Sequence, residues 1–396
     1  MIKPELLAPA GDLERLKLAL LYGADAVYIG GSFNLRANAD NFSLPEIEEG
    51  VNYAHKLGKK VYVTVNIAMH NKEFKTLLDY LKELDRINVD AIIVSDPAVI
   101  QIAKENTNLE IHLSTQNSTL NKEAAMFWKG EGVSRIVLAR ECAKEDIDDI
   151  KKNVDVELEV FVHGAMCASY SGRCVLSNFL TNRDSNRGGC SQICRWDFDL
   201  YSDEKMVEGD RPFTFCTKDL SLIKYIPELI KMGVNSLKIE GRMRSGYYIA
   251  TVVKVYRKVI DEYMNNPDGY AYNLEYERVL RRCANRDSIC QFFDGTFDES
   301  VQYYNGRTEV TNQDFLGIVL DYKDGFVKLE QRNYFKKGDR VALFGPLDEF
   351  EITIDKMYDE DMKPIEVAPH PKQIVYIETK FKVKRDYMMK KTLDKD

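Results

Sequence analysis

The sequence predicts an α/β protein: a (β/α)8 TIM-like barrel carrying a cysteine-rich insertion, followed by a small all-β C-terminal domain. Three observations predict it. Over the first 240 residues, eight short apolar runs alternate with longer amphipathic segments, the pattern of a parallel sheet with helical crossovers. No Gly-x-Gly-x-x-Gly follows the first run, so the doubly wound dinucleotide fold lacks its phosphate fingerprint. From about residue 313 the apolar period shortens to two, with turn residues between the runs, which reads as antiparallel strands.

The eight runs begin at Glu5, Ala24, Lys60, Ala91, Glu110, Arg135, Val156 and Ser236. Segments such as Leu13-Glu-Arg-Leu-Lys-Leu-Ala-Leu and Glu73-Phe-Lys-Thr-Leu-Leu-Asp-Tyr-Leu between them have helical spacing. Polar residues stand where the strands end: Asn66, Asp96, Ser114 with Gln116, Arg140 with Glu141, His163, and Glu240 with Arg242. In a barrel those ends converge on one face, where loops build the site. Asp96-Pro97 also reads as a plain helix cap. His163 is the strongest candidate for proton transfer, because it ends a strand four residues before Cys167; a buried, satisfied core histidine is the other reading.

The connection between the seventh and eighth runs is far longer than a barrel needs, and the insertion spans about residues 163–219. It holds four of the eight cysteines, Cys167, Cys174, Cys190 and Cys194, with gaps of six, fifteen and three residues. An iron–sulfur cluster takes four thiolates and tolerates irregular spacing. Structural zinc is the runner-up, although its short Cys-x2-Cys knuckles are absent. Disulfides or unligated thiols are the remaining readings. The insertion also carries Arg173, Arg183, Arg187 and Arg195, whose forked guanidinium groups match phosphate and carboxylate oxygens. Leu220 to Met232 reads as the barrel helix that comes next.

The segment 242–258 contains five basic residues and no acidic one, and Lys254, Arg257 and Lys258 lie on its helix. It reads as a local basic face, or as the solvated side of a helix. The barrel domain is expected over residues 1–262, a partly helical linker over 263–312, the β domain over 313–385 and a frayed tail over 386–396. Asp324-Gly325 between alternating runs is a hairpin signal.

Composition narrows the function class. A hydrophobic content of 44% supplies a packed core, and the net charge of −8 argues against a protein that coats nucleic acid generally. No apolar run approaches the ~18 residues of a membrane span, and the first residues lack the basic-then-apolar order of a signal peptide. The expected compartment is a reducing cytoplasm, which disfavours disulfides.

The run Glu159-x-Phe161, Gly164-Ala165-Met166-Cys167, Gly172-x-Cys174, Leu176-Ser177 resembles the signature of peptidase family U32. The similarity extends through Leu7-Ala-Pro-Ala-Gly, Tyr28-Ile-Gly-Gly, Asn34-Leu-Arg-Ala, Asn66, Lys218-Asp-Leu, Lys238-Ile-Glu-Gly-Arg, Glu330-Gln-Arg-Asn and Phe344-Gly-Pro. Size and domain order resemble the branch that hydroxylates tRNA uridines. The resemblance implies an iron–sulfur protein that hydroxylates the wobble uridine of tRNA without oxygen, with prephenate as hydroxyl donor. By position it implies Cys167, Cys174, Cys190 and Cys194 as ligands of a cluster, [4Fe-4S] in type. Ser221 stands where some relatives have a cysteine, which favours Cys194 as the fourth ligand. Ser288-Ile-Cys-Gln departs from the family's Gly/Phe-rich stretch.

On that reading His163, Glu141 and Glu240 move protons. Arg173, Arg187, Arg242 and Arg244 hold donor carboxylates, Asn66 lines the substrate site and Tyr170 or Phe161 stacks an extruded uracil. Lys254, Arg257 and Lys258 contact tRNA phosphates. A paralogous subunit is a further candidate partner. Two other functions compete. A cysteine peptidase would pair Cys167 with His163, while a metallopeptidase would need a motif such as His-Glu-x-x-His, which is absent. A non-catalytic tRNA-binding factor would leave the polar barrel face unexplained.

Overall fold

The structure, a computed structural model, describes residues 1–34, 41–207, 212–295, 298–303 and 314–392. Leu35-Arg36-Ala37 of the family resemblance, linker residues 304–313 and tail residues 393–396 lie outside the described residues.

All eight apolar runs form parallel strands: β1 (Glu5–Pro9), β2 (Ala26–Gly30), β3 (Lys60–Val65), β4 (Ala91–Val94), β5 (Glu110–Leu113), β6 (Arg135–Val137), β7 (Glu157–Gly164) and an eighth, Ser236–Ile239. Neighbours pair in chain order, and the eighth strand closes the barrel with Ser236 opposite both Glu5 and Glu159. The strands are buried on both faces, so they read as continuous apolar runs rather than alternating ones. The helices supply the amphipathic half of the pattern. Helix Phe74–Arg86 buries Leu77, Tyr80, Leu81 and Leu84, a stripe at helical spacing. Asp96 accepts a hydrogen bond from the Ala98 amide at 2.9 Å and caps helix Pro97–Asn106.

The barrel interior is polar at its lower end. Arg135 lies between Glu5 at 2.6 Å, Glu157 at 2.7 Å and Glu159 at 3.4 Å, and Lys238 lies 2.6 Å from Glu159. Tyr62 and Ser236 donate to Glu5 at 2.5 and 2.8 Å. Burial works against the charge of Glu159, but Lys238 and Arg135 outweigh it and hold the carboxyl below its ordinary range.

Two expectations change. Leu220 is not helical: it lies in strand Asp219–Ser221, which pairs antiparallel with the end of β7 and parallel with Ser288–Ile289, and the helix proper is Ile226–Met232. The end of β7 projects past its barrel neighbours, and this strand takes up the backbone edge left there. The residues after Asp386 are not frayed up to Lys391. Met388–Lys391 is an interior strand between Phe315–Lys323 and Arg340–Phe344, with Met388 and Met389 fully buried. The lysines around it hid a strand whose methionines supply core volume on both faces.

The C-terminal part is an eight-stranded antiparallel sheet with its own core around Leu316, Val327, Val341 and Ile377. Asp324 and Gly325, both at positive φ, form the two-residue hairpin between Phe315–Lys323 and Phe326–Gln331. This sheet docks on helices Leu13–Leu21 and Gly246–Asn265. Tyr22 donates to the carbonyl oxygens of Phe344 and Asp386 at 3.2 and 2.9 Å, and Tyr247 stacks on Phe315 at 4.8 Å.

Candidate active site at the mouth of the barrel

A cavity of about 330 Å3 opens at the C-terminal ends of the strands. Its floor and walls come from residues at or just past the strand ends: Asn34, Asn66, Ser114, Arg140 with Glu141, Ala165 to Cys167, and Glu240 with Arg242. The insertion forms the remaining wall and the rim.

Local geometry explains how the insertion is held. Gly164 sits at φ +111°, and a Cβ there would meet the Glu240 carbonyl oxygen at 2.5 Å, so only glycine lets the chain leave β7 this close to the eighth strand. Arg140 donates to the Ala165 carbonyl at 2.7 Å, and Glu141 accepts from the Ser171 amide and hydroxyl, each at 3.0 Å. Arg187 is clamped to Glu73 at 2.7 Å and to the Ala68 carbonyl. Ser185 and Asn186 donate to the Cys174 carbonyl at 2.5 and 3.1 Å, and Thr214 donates to that of Cys194 at 3.2 Å.

Cys167, Cys174, Cys190 and Cys194 all line this one cavity, and no disulfide joins any of the eight cysteines. Cys142, Cys216 and Cys283 are buried away from it. Among the described residues, no three His, Cys, Asp or Glu side chains stand close enough together to hold one metal ion. The fit to an iron–sulfur cluster is therefore one of donor chemistry and placement: four soft thiol donors line one cavity, and the carbonyls of Cys174 and Cys194 are pinned by hydrogen bonds. Burial, with Cys167 nearby, pushes the Cys194 thiol up to about 11.

The same cavity is also lined by the cations Arg140, Lys238 and Arg242. Lys238, beside Glu159, lies 4.4 Å from the Tyr28 ring, and Arg140 lies 4.0 Å from the Phe161 ring. Arg242 donates to Asn34 at 2.7 Å. Glu240 receives Tyr28 and Arg140, both at 3.3 Å. The sequence placed Arg140 among the strand-end residues that converge on this face without giving it a chemical role, and marked Lys238 only as part of a family motif.

Of the residues picked out from sequence, the cavity gathers the four cysteines, Glu141, Glu240, Arg242, Asn66 and Tyr170. Others lie elsewhere. Arg187 serves the Glu73 clamp. Arg244 is 3.3 Å from Asp219, which Arg286 also contacts at 2.6 Å. Arg173 is exposed, does not line the cavity, and donates to Ser118 at 3.3 Å.

His163 is a correction. It is buried behind the sheet, with its ring 3.3 Å from the Tyr256 hydroxyl and packed by Tyr248 and Tyr256. A bulge pairs Lys238 with Phe161 but Ile239 with His163, so strict alternation fails there and the ring turns away from the cavity. Burial, then the Arg244 charge, pushes the imidazole down to about 3. Such a group is neutral throughout the physiological range and is no acid catalyst there. Its unfolded-state pKa is near 6.5, so the unfolded chain takes up the proton first as pH falls through the window from about 6.5 to about 3. Folding stability therefore drops across that window, and His163→Gln should make thermal denaturation midpoints fall less steeply between about pH 6.5 and about pH 4.

The basic run 242–258 is a second correction, because it does not form one face. Arg257 pairs with Asp25 at 2.9 Å and Asp261 at 2.8 Å, and Lys258 lies 3.8 Å from Glu262. Lys254 is tucked under the β domain, donating to the Asp348 carbonyl at 3.1 Å, and burial brings it down to about 8. The acids that neutralise the run lie one helical turn on, or come from other elements, outside the sequence window that looked basic.

The family model for peptidase family U32 matches residues 11–302, and that for the peptidase family U32 C-terminal domain matches residues 311–390. This chain belongs to peptidase family U32. A relative from Bacillus subtilis (strain 168), "tRNA hydroxylation protein P1", is 51% identical over 400 residues, covering 98% of this chain and 95% of its own length. "tRNA hydroxylation protein P" of Escherichia coli (strain K12) is 34% identical, covering 93% of this chain and 92% of its own. The "23S rRNA 5-hydroxycytidine C2501 synthase" of Escherichia coli (strain K12) is 39% identical over 258 residues, covering 65% of this chain and 39% of its own. Among the described residues, no helix is long and apolar enough to cross a membrane.

Proposed function

We propose that this protein is a cytoplasmic, iron–sulfur-dependent RNA hydroxylase that forms 5-hydroxyuridine at the wobble position of tRNA, with prephenate as the hydroxyl donor. The observation that carries the reading is one cavity, at the mouth of a barrel, lined both by four thiols and by Arg140, Lys238 and Arg242. The names of the relatives support RNA hydroxylation as the reaction class. The volume suits a small ligand or one extruded base rather than folded RNA.

Cys167, Cys174, Cys190 and Cys194 would hold the cluster. When bound, it supplies one-electron chemistry that side chains cannot. The chain's own residues supply the rest. Arg140, Lys238 and Arg242 offer charge and hydrogen bonds to the carboxylates of a dianionic donor. Glu240, oriented by Tyr28 and Arg140, is the carboxylate placed to accept a proton. Tyr170, at the rim, gives the uracil ring a face to stack on. The peptidase reading lacks its histidine: none of the five in the chain lines the cavity that Cys167 faces.

The test is nucleoside mass spectrometry of tRNA from cells lacking this protein and any paralogue. 5-Hydroxyuridine-derived nucleosides should disappear, and return with the wild-type gene but not with Cys167→Ala. Unchanged nucleosides, together with peptide cleavage by the pure protein that Cys167→Ala loses, would replace hydroxylation by proteolysis.

A further inference from the structure

The outer rim of the cavity exposes more apolar surface than a solvated loop needs. Phe179 is 83% exposed, Tyr170 and Leu180 are each 56% exposed, and Trp196 is 48% exposed. Helix Leu176–Thr181 shows why. Ser177 is buried and its Oγ accepts from the Ser191 amide at 3.0 Å. Thr181, four residues on, donates to the Ser177 carbonyl at 2.8 Å. That side of the helix faces the protein. Leu176 lines the cavity, and Phe179 and Leu180, three and four residues on, stand on the same side as Leu176. Trp196 comes directly after Cys194 and Arg195, which line the cavity too, and Tyr170 lines it directly. A grouped set of exposed rings around a polar opening is the mark of an interaction surface.

Charge decides what covers it. Between Gly164 and Trp196 the chain has four arginines and one aspartate, net +3, whereas the whole protein is −8. Arg173 and Arg183 of this segment are exposed as well, and lie within four residues of Tyr170 and Phe179 in the chain. Rings that offer flat faces, interleaved with guanidinium groups, fit unstacked bases joined by phosphates. The helix Gly246–Asn265, where sequence alone placed the RNA contacts, has its cations paired with acids or tucked under the β domain.

We propose that this rim, Tyr170, Phe179, Leu180 and Trp196 with Arg173 and Arg183, is the docking surface for a single-stranded RNA loop. Bases stack on the rings, phosphates sit on the two arginines, and one base reaches the cavity. The inference rests on the tRNA reading and adds where the RNA binds.

The test uses the full-length protein and an anticodon stem-loop RNA, with the same stem closed as a plain duplex for comparison. Wild-type protein should bind the stem-loop more tightly than the duplex by fluorescence anisotropy. Phe179→Ala and Trp196→Ala change exposed side chains and should fold normally by circular dichroism, yet each should weaken stem-loop binding by about ten- to a hundredfold. Arg173→Gln and Arg183→Gln should each flatten the salt dependence of log K by about 0.7. Lys82→Ala, on the exposed side of helix Phe74–Arg86, should change neither. The chain has two tryptophans, so Trp128→Phe leaves Trp196 as the sole reporter, and the stem-loop should quench its emission. Wild-type-like affinity of all four rim variants, while wild type still binds RNA, would overturn the docking surface and leave the hydroxylase reading intact. A wild-type protein that neither binds nor modifies RNA would remove both. Rim variants that convert a dimer to monomer in sedimentation, without losing RNA affinity, would reassign the surface to a second copy of the chain.

Discussion

Glu159→Gln should be the most damaging single substitution in the barrel, costing about 3–5 kcal/mol, because it removes one partner of a buried charge network. Glu159 is fully buried, and its two oxygens face different cations, Lys238 at 2.6 Å and Arg135 at 3.4 Å. Arg135 keeps Glu5 and Glu157 after the change, so the loss falls chiefly on Lys238, which is left charged or must give up its proton. Against a typical total of about 5–15 kcal/mol, that is a large fraction of stability. Chemical denaturation should show it as a lower midpoint with little change in slope. The double variant Glu159→Gln/Lys238→Met should recover much of the loss, since no unpaired cation then remains. A single variant within about 1 kcal/mol of wild type would mean that the network is solvated and worth no more than a surface pair.

The largest functional effect should come from replacement of any one of Cys167, Cys174, Cys190 or Cys194 by alanine. Each variant purified without oxygen should lose iron and sulfide together and drop to background hydroxylation. Cys142→Ala should retain both, because its thiol packs in the barrel core 3.6 Å from the Thr119 carbonyl. Structural stability should also respond. The insertion is tied down by hydrogen bonds and a few clamps rather than by a core of its own, so the variants should be cut faster by protease within residues 165–196. Stoichiometric zinc without sulfide in the wild-type protein would replace the cluster by the zinc alternative and recast the insertion as a structural metal site.

Much of the molecule was legible in the sequence, and where it was legible the cause is local. Eight apolar runs separated by amphipathic segments specify strands and helices by period alone, and all eight strands formed. Asp324-Gly325 names its own turn, because few residues other than glycine tolerate that backbone. The polar residues that end the strands had to converge on one face once the barrel closed, so strand order alone was enough to group Asn66, Glu141, Glu240 and Arg242. Membership of family U32 was legible in the same way, through motif residues at set spacing.

What the sequence could not show depends on partners far away in the chain. His163 has the chemistry of a catalyst, yet a bulge shifts its register and Tyr256, 93 residues later, receives its ring. Arg257 and Lys254 look like a basic face until Asp25 and Glu349 meet them from other elements. Met388–Lys391 looks like a lysine-rich tail until two strands pair with it. In each case residue type determined what a group could do, and tertiary packing determined whether water, a ligand or an opposite charge would face it. By itself the sequence determined the barrel, the hairpin domain and the grouping of thiols in one insertion. Only the tertiary structure decided which charges remained for a substrate, because pairing and burial are settled by contacts between segments that periodicity does not encode.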